Sequence, residues 1–312
     1  MNNSSLNSTL QNVTQDIINR SKKSRQRYLA LMLQAHSDKP SRGQMGCTNL
    51  AHVQAASSEH DKLILKDTQH RHNLAIVTSY NDMLSAHQPY YRYPEQLKQY
   101  FYPLGVSAQV AAGVPAMCDG VTQGQTGMEL SLFSRDVIAM STAVGLSHQA
   151  FDGMVLLGIC DKIVPGLLLG ALRFGHLPGI FIPSGPMPSG ISNADKAKVR
   201  QAHAQGKASD EELLESETHA YHSAGTCTFY GTANSNQMLL EAMGLMLPGS
   251  AFVPPNTEQR QAFNKLACEF LVNCANDSSQ FSLANLVNEK CIVNALVALL
   301  ATGGSTNLTI HW

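Results

Sequence analysis

Three short turns carry the residue types that could do chemistry: Cys118-Asp119-Gly120, Cys160-Asp161-Lys162 and Gly225-Thr226-Cys227. In the first two a thiolate stands beside a carboxylate. A soft donor and a hard donor are offered together, which suits a site holding two kinds of metal. The residue types leave three readings of these cysteines open. They could ligate an iron–sulfur cluster, one could be a nucleophile, or all could be inert. A nucleophilic cysteine needs a paired histidine, and nothing in the sequence places His148, His176 or His222 for that part. Cys268, Cys274 and Cys291 fall in apolar helical patterns and read as small buried hydrophobes.

The elements that must position these turns read as an α/β domain. Residues 73–78 (Asn-Leu-Ala-Ile-Val-Thr) form a run suited to a fully buried strand, emptying into Ser79-Tyr80-Asn81-Asp82. Residues 106–111, 154–159 and 179–182 read as further strands. Near-continuous apolar strands imply a mainly parallel sheet covered by helices on both faces, a three-layer domain. Ligands of such sheets collect at the carboxyl ends of the strands, where Cys160-Asp161-Lys162 falls. The glycine-rich stretch 113–127 lacks the GxGxxG and GxxxxGK[ST] spacings, so it is neither a dinucleotide fingerprint nor a P-loop. A helix over 128–148 follows, with Leu130, Phe133, Val137, Ile138 and Met140 as its expected buried stripe. Arg135 in that helix is a candidate anion ligand, although a surface role is the commoner one for such a residue. Residues 192–218 read as an exposed helical excursion, and helices are expected over 231–247, 258–273 and 290–300.

Two regions are expected: a helical extension over 1–37, polar and frayed to Thr14 and amphipathic from Gln15, and an α/β domain over 38–312. Residues 38–72 read as loop-rich, with one helical piece near 60–65. At 312 residues the chain can bury a substantial core. Its net charge of −1 and scattered lysines and arginines argue against nucleic acid. Seven cysteines without paired spacing are not a disulfide scaffold. The apolar run 292–301 is too short to span a bilayer. No membrane association is expected, and the cytoplasm is the default compartment.

Larger segments then carry a resemblance. SYNDMLSAHQPY, GVPAMCDGVTQGQTGMELSLFSRDVIAMS, GICDKIVPGLLLGALRFGHLP, SGPMPSG and GTCTFYGTANSNQM resemble the dihydroxy-acid/6-phosphogluconate dehydratase family, most closely its 6-phosphogluconate branch. The match runs from the first helix to TGGSTN. It implies a hydro-lyase that takes a small sugar-acid phosphate, converting 6-phospho-D-gluconate to 2-dehydro-3-deoxy-6-phosphogluconate in the Entner–Doudoroff route. It further implies an iron–sulfur cluster, 4Fe–4S or 2Fe–2S, with Cys160 and Cys227 as ligands. The relatives' third ligand lies after the first strand, where this chain has no cysteine, and Cys118 is the natural substitute. Asp119 and Asp161 match carboxylates that bind Mg2+ or Mn2+, and Lys162 matches a lysine that can be carbamylated, with a possible catalytic part. Ser184 and Gly185 of the small-residue loop, together with Arg135, are candidates for the substrate phosphate. The resemblance also implies a homodimer and a second, β-rich domain holding the base, which this chain does not include. The alternatives are a non-catalytic α/β module, or a dehydratase for another aldonate or dihydroxy acid.

Overall fold

The computed structural model describes residues 6–228 and 230–312. The chain opens with a long helix, α1 (Ser8–Ala35). It begins well before Gln15, because the polar start supplies its cap: Asn7 Oδ1 accepts from the amides of Thr9 and Leu10 at 2.9 and 3.4 Å. Residues 1–5 of the expected frayed tail lie outside the described residues. The helix is tied down by Arg25, which donates to the Val287 and Ala284 carbonyls, and by Tyr28, which donates to Leu172. Two short helices follow, α2 (Cys47–Gln54) and α3 (Glu59–Lys66). The sequence predicts only the second. No residue of α2 is buried, so it has no apolar stripe to read.

Strands β1 (Asn73–Thr78), β2 (Ser107–Gly113), β3 (Gly153–Leu157) and β4 (Gly179–Phe181) form one sheet in the order β2-β1-β3-β4. Every pairing is parallel, as the unbroken apolar runs require. Alternate residues serve opposite layers. Ala75, Val77, Met154 and Leu156 join one core, and Leu74, Ile76, Val155 and Leu157 the other. Each fully buried aliphatic side chain contributes ~2 kcal/mol.

Helix α4 (Tyr93–Phe101) links β1 to β2. Helices α5 (Asp119–Thr122) and α6 (Ser134–Leu146) lie between β2 and β3, and α7 (Ile163–Leu172) between β3 and β4. The excursion is α8 (Asn193–Ala204) and α9 (Asp210–Ala220), the latter opened by a capping box of Ser209 and Glu212. Then come α10 (Thr232–Ala242), α11 (Glu258–Asn276), the single turns α12 (Ser278–Phe281) and α13 (Leu283–Leu286), α14 (Glu289–Thr302) and α15 (Thr306–His311). Helices α4 and α11 cover one face of the sheet, while α6, α7, α10 and α14 serve the other core. The fold is thus a three-layer α/β domain with a parallel sheet.

The stripe expected on α6 is largely reversed. Ile138 is buried, but Met140 is 70% exposed, and Leu130 and Phe133, 60% and 59% exposed, lie before the helix begins at Ser134 rather than within it as expected. The cause lies in α7. A Cβ on Gly166 would stand 2.7 Å from the Arg135 carbonyl, and one on Gly170 would stand 2.6 Å from that of Ala139. The glycines let α6 approach on its smaller face, through Ile138 and Thr142, and leave Met140 facing outward.

At the amino ends of the strands Asp152 makes a polar knot. It pairs with Arg42 Nη1 at 3.0 Å and accepts from the amides of Asn73 at 2.8 Å and Ser41 at 2.6 Å. Burial alone would raise its pKa, but the neighbouring His72 and Arg42 and these amides hold it below the usual carboxylate range. The opposite, carboxyl ends carry the turns of interest.

Candidate metal centre

Cys118 closes the exit from β2. Its carbonyl accepts from Val121 and Thr122, so it caps α5 and sets Asp119 on the first helical position. Cys160 closes the exit from β3 and adopts φ +79°, a left-handed conformation. For a non-glycine residue this costs on the order of 1 kcal/mol and persists where the surroundings impose it. Here Gly158 packs so tightly on α7 that a Cβ would fall 2.2 Å from Leu167 Cδ1. Cys227 follows a bridge between Thr226 and Pro186, and its carbonyl accepts from Asn234 Nδ2 at 2.7 Å. Gly225 has φ +126°, and a Cβ there would lie 2.5 Å from the Met187 amide, so only glycine fits. Its own amide donates to Ser85 at 2.7 Å. The turns after β1 and β4 are thereby stitched to the Cys227 turn.

The three cysteines come together. All are free and partly buried. Burial pushes the Cys160 thiol well above its ordinary range, and Cys118, Asp161 and Cys227 push it further. Burial and Cys118 likewise raise Cys227. The Cys160 and Cys227 thiols are therefore protonated until something positive compensates their thiolates.

Beside them lies a carboxylate pair bridged by one ammonium. Lys162 Nζ stands 2.6 Å from Asp119 Oδ2 and 2.9 Å from Asp161 Oδ1. Burial pulls the Lys162 pKa down, but the Asp119 hydrogen bond and the Asp161 charge outweigh it, and the net shift is upward. Ser131 Oγ donates to Asp119 Oδ1 at 2.6 Å. Asp161 Oδ2 is buried without a partner. Among the described residues no three His, Cys, Asp or Glu side chains converge on one single-ion position. The centre offers soft sulfurs and hard oxygens side by side, with the Lys162 ammonium between the carboxylates.

The anion candidates are placed differently. Arg135 pairs with the adjacent Asp136 at 3.0 Å and is partly exposed. Ser184 is fully buried beside the Tyr90 hydroxyl. Gly185 packs against Val253, where a Cβ would fall 1.9 Å from the carbonyl, and its amide donates to Gln237 Oε1 at 3.3 Å. That amide is committed within the protein rather than open to a phosphate. A cleft of about 410 Å3 lies between Met187 and Ser189 on one side and Thr228 and Tyr230 on the other, and none of the three cysteines lines it. Sequence reasoning missed two residues here. Ser131 orients Asp119, and His311 of α15 feels Asp161, Lys162 and Asp119, with both ring nitrogens buried and unpartnered. No local pattern marks either one; only the tertiary fold brings them in.

Residues 71–312 match the family described as Dihydroxy-acid/6-phosphogluconate dehydratase N-terminal. The chain belongs to this family. It is 56% identical over 307 residues to the phosphogluconate dehydratase of Zymomonas mobilis subsp. mobilis, covering 98% of this chain and 50% of the relative. With that of Pseudomonas aeruginosa it shares 58% identity over 300 residues, 96% of this chain and 49% of the relative. A dihydroxy-acid dehydratase of Sulfurimonas denitrificans is more distant, 36% identical over 76% of this chain. The chain spans about half the length of the curated relatives it matches.

Proposed function

We propose that this chain forms the metal-holding half of a phosphogluconate dehydratase, which removes water from 6-phospho-D-gluconate to give 2-dehydro-3-deoxy-6-phospho-D-gluconate. The observation that carries the reading is the meeting of three cysteines from separate turns beside the bridged pair Asp119 and Asp161. Support comes from relatives of that name at 56% and 58% identity, against 36% for the dihydroxy-acid enzyme. Cys118, Cys160 and Cys227 fit a thiolate-held iron–sulfur cluster, 4Fe–4S or 2Fe–2S, because their thiolates need the positive charge that iron brings. Asp119 and Asp161, with the orphaned Asp161 Oδ2, fit Mg2+ or Mn2+ in exchange for the Lys162 ammonium. Once neutral, the Lys162 amine can take up carbon dioxide as a carbamate and become an oxygen donor itself.

When bound, the cluster supplies a Lewis-acidic iron for the hydroxyl that leaves C3 as water. The chain's own residues orient and compensate charge. Ser131 fixes Asp119, Asp119 and Asp161 fix the position of positive charge, and Lys162 balances them. The C2 proton needs a base within ~3 Å, and family resemblance assigns that base to the further half of the longer relatives.

Anaerobic reconstitution with iron and sulfide tests the cluster. The parent should develop a thiolate-to-iron absorption band, which Cys160→Ala or Cys227→Ala abolishes and Cys118→Ala weakens. Cys268→Ala, deep in the other core, should leave it unchanged. An unaltered band in the Cys160 variant would remove the assignment. Comparing phosphorylated with unphosphorylated gluconate on a protein carrying both halves tests the substrate.

A further inference from the structure

On the far core, at the start of α11, the protein buries a cation with no carboxylate to match it. Arg260 is 1% exposed. Its Nη2 donates to the carbonyls of Ser250 and Val253, each at 2.6 Å, whereas Nε and Nη1 have no partner. A guanidinium carries five N–H donors, so three go unmet. Burying unmet donors on a charged group is costly unless something else answers them. Beside Arg260 lies a cavity of about 380 Å3 whose wall includes Arg92, Tyr93, Gln96, Gln261 and Asn264 and no Asp or Glu. Neither arginine is in an ion pair among the described residues. The Tyr93 hydroxyl and the Asn264 side chain, on residues 4% and 1% exposed, feel one another, but neither that hydroxyl nor Asn264 Oδ1 completes a well-formed hydrogen bond. Four unsatisfied polar atoms on three deeply buried side chains therefore line one space between α4 and α11.

We propose that this cavity binds a small tetrahedral oxyanion of the phosphate class. Two guanidinium charges without an acid call for an anion. The geometry selects the tetrahedral kind. A planar carboxylate is gripped by a two-pronged fork, and both forks of a guanidinium use Nη2. In Arg260 both Nη2 hydrogens already serve carbonyls, so Nε and Nη1 can each give only single bonds on different edges. Oxygens spread over a tetrahedron answer donors arranged that way, with Arg92 and the Tyr93 hydroxyl adding two more. The Asn264 amide can meet a protonated oxygen with its carbonyl. The site shares no lining residue with the cysteine turns, so it stands whatever the fate of the dehydratase reading.

Isothermal titration of the 312-residue chain with inorganic phosphate is the direct test, with acetate as the planar competitor and glycerol 3-phosphate as the ester. Phosphate should bind saturably and acetate at least about tenfold more weakly. Retained binding of the ester identifies a phosphorylated metabolite as occupant, and its loss identifies the free ion. Arg92→Gln should weaken phosphate about tenfold, the loss of one charge-assisted hydrogen bond. Because Arg260 also holds two carbonyls, its replacement risks the fold, and Asn264→Asp is the cleaner variant. It places a carboxylate beside the buried guanidinium, so melting temperature should hold or rise while phosphate binding disappears. Arg200→Gln, which breaks an exposed pair with Glu217, should bind as the parent does. No saturable phosphate binding by the parent, or binding unchanged in both Arg92→Gln and a folded Asn264→Asp, would overturn the proposal.

Discussion

Lys162 holds two carboxylates on one ammonium, so its loss should be felt far more than that of a surface lysine. Breaking a buried pair by removing one partner costs ~3–5 kcal/mol, and Asp119, 29% exposed, tempers this. Lys162→Gln should lower the melting temperature of the metal-free chain, and adding Asp161→Asn should restore part of it. A Lys162→Gln protein that melts with the parent would show that the bridge contributes nothing. His87 makes a second prediction at this scale. It is buried against Ser79 Oγ at 2.8 Å, and burial draws its pKa from 6.5 down to about 4. Between those values the unfolded chain takes a proton that the folded chain refuses. Stability is therefore complete above about pH 6.5 and falls as pH drops toward 4, at about 1.4 kcal/mol per pH unit at most. Denaturant titrations across that range should show the slope, and His87→Gln should flatten it.

Among the elements, the contact of α6 with α7 depends on glycine. Gly170→Ala would press its methyl against the Ala139 carbonyl and Thr142 Cβ, both 2.6 Å away. Overpacking of this kind costs ~1–3 kcal/mol, visible as an earlier urea midpoint. Gly113→Ala, with nothing within 4 Å, should be near neutral, and equal midpoints for the two would refute the account. The same contact shows where sequence reading stops. Strands β1 and β3 were legible because burial on both faces writes itself as unbroken apolar runs, and β1 matches its expected span, Asn73–Thr78; the edge strand β2, interrupted by Gln109 and half exposed, carries a weaker signal. The buried face of α6 was not legible, since it is set by the absence of side chains on another helix. The cysteine turns announced themselves by residue type. Ser131 and His311 did not, because serine and histidine are common and only distant contacts give them a part here.

At the scale of the molecule, the chain spans about half the length of the relatives it matches. Lys162, in the turn that holds Cys160, is held as an ammonium by two carboxylates. Residues 1–312 alone, with cluster reconstituted, should show no dehydratase turnover. Turnover close to that of a protein with both halves would mean that the base lies within these residues after all. The outward residues Phe133 just before α6, Met140 and Val144 of α6, and Leu300 of α14 are 59%, 70%, 64% and 82% exposed. Apolar exposure on this scale favours self-association, so sedimentation of the isolated chain should give a mass that rises with concentration. The Asp152 knot points to an order of events. It ties the amino ends of β1 and β3 through Arg42, Asn73 and Ser41, using nothing from the cysteine turns. The sheet can therefore be complete before any metal arrives, unlike small metal-dependent domains that are unfolded without it. On the proposed reading, metal loading is a late addition to a finished frame, and amide hydrogen exchange in β1 and β3 should run at one rate in protein with and without reconstituted cluster.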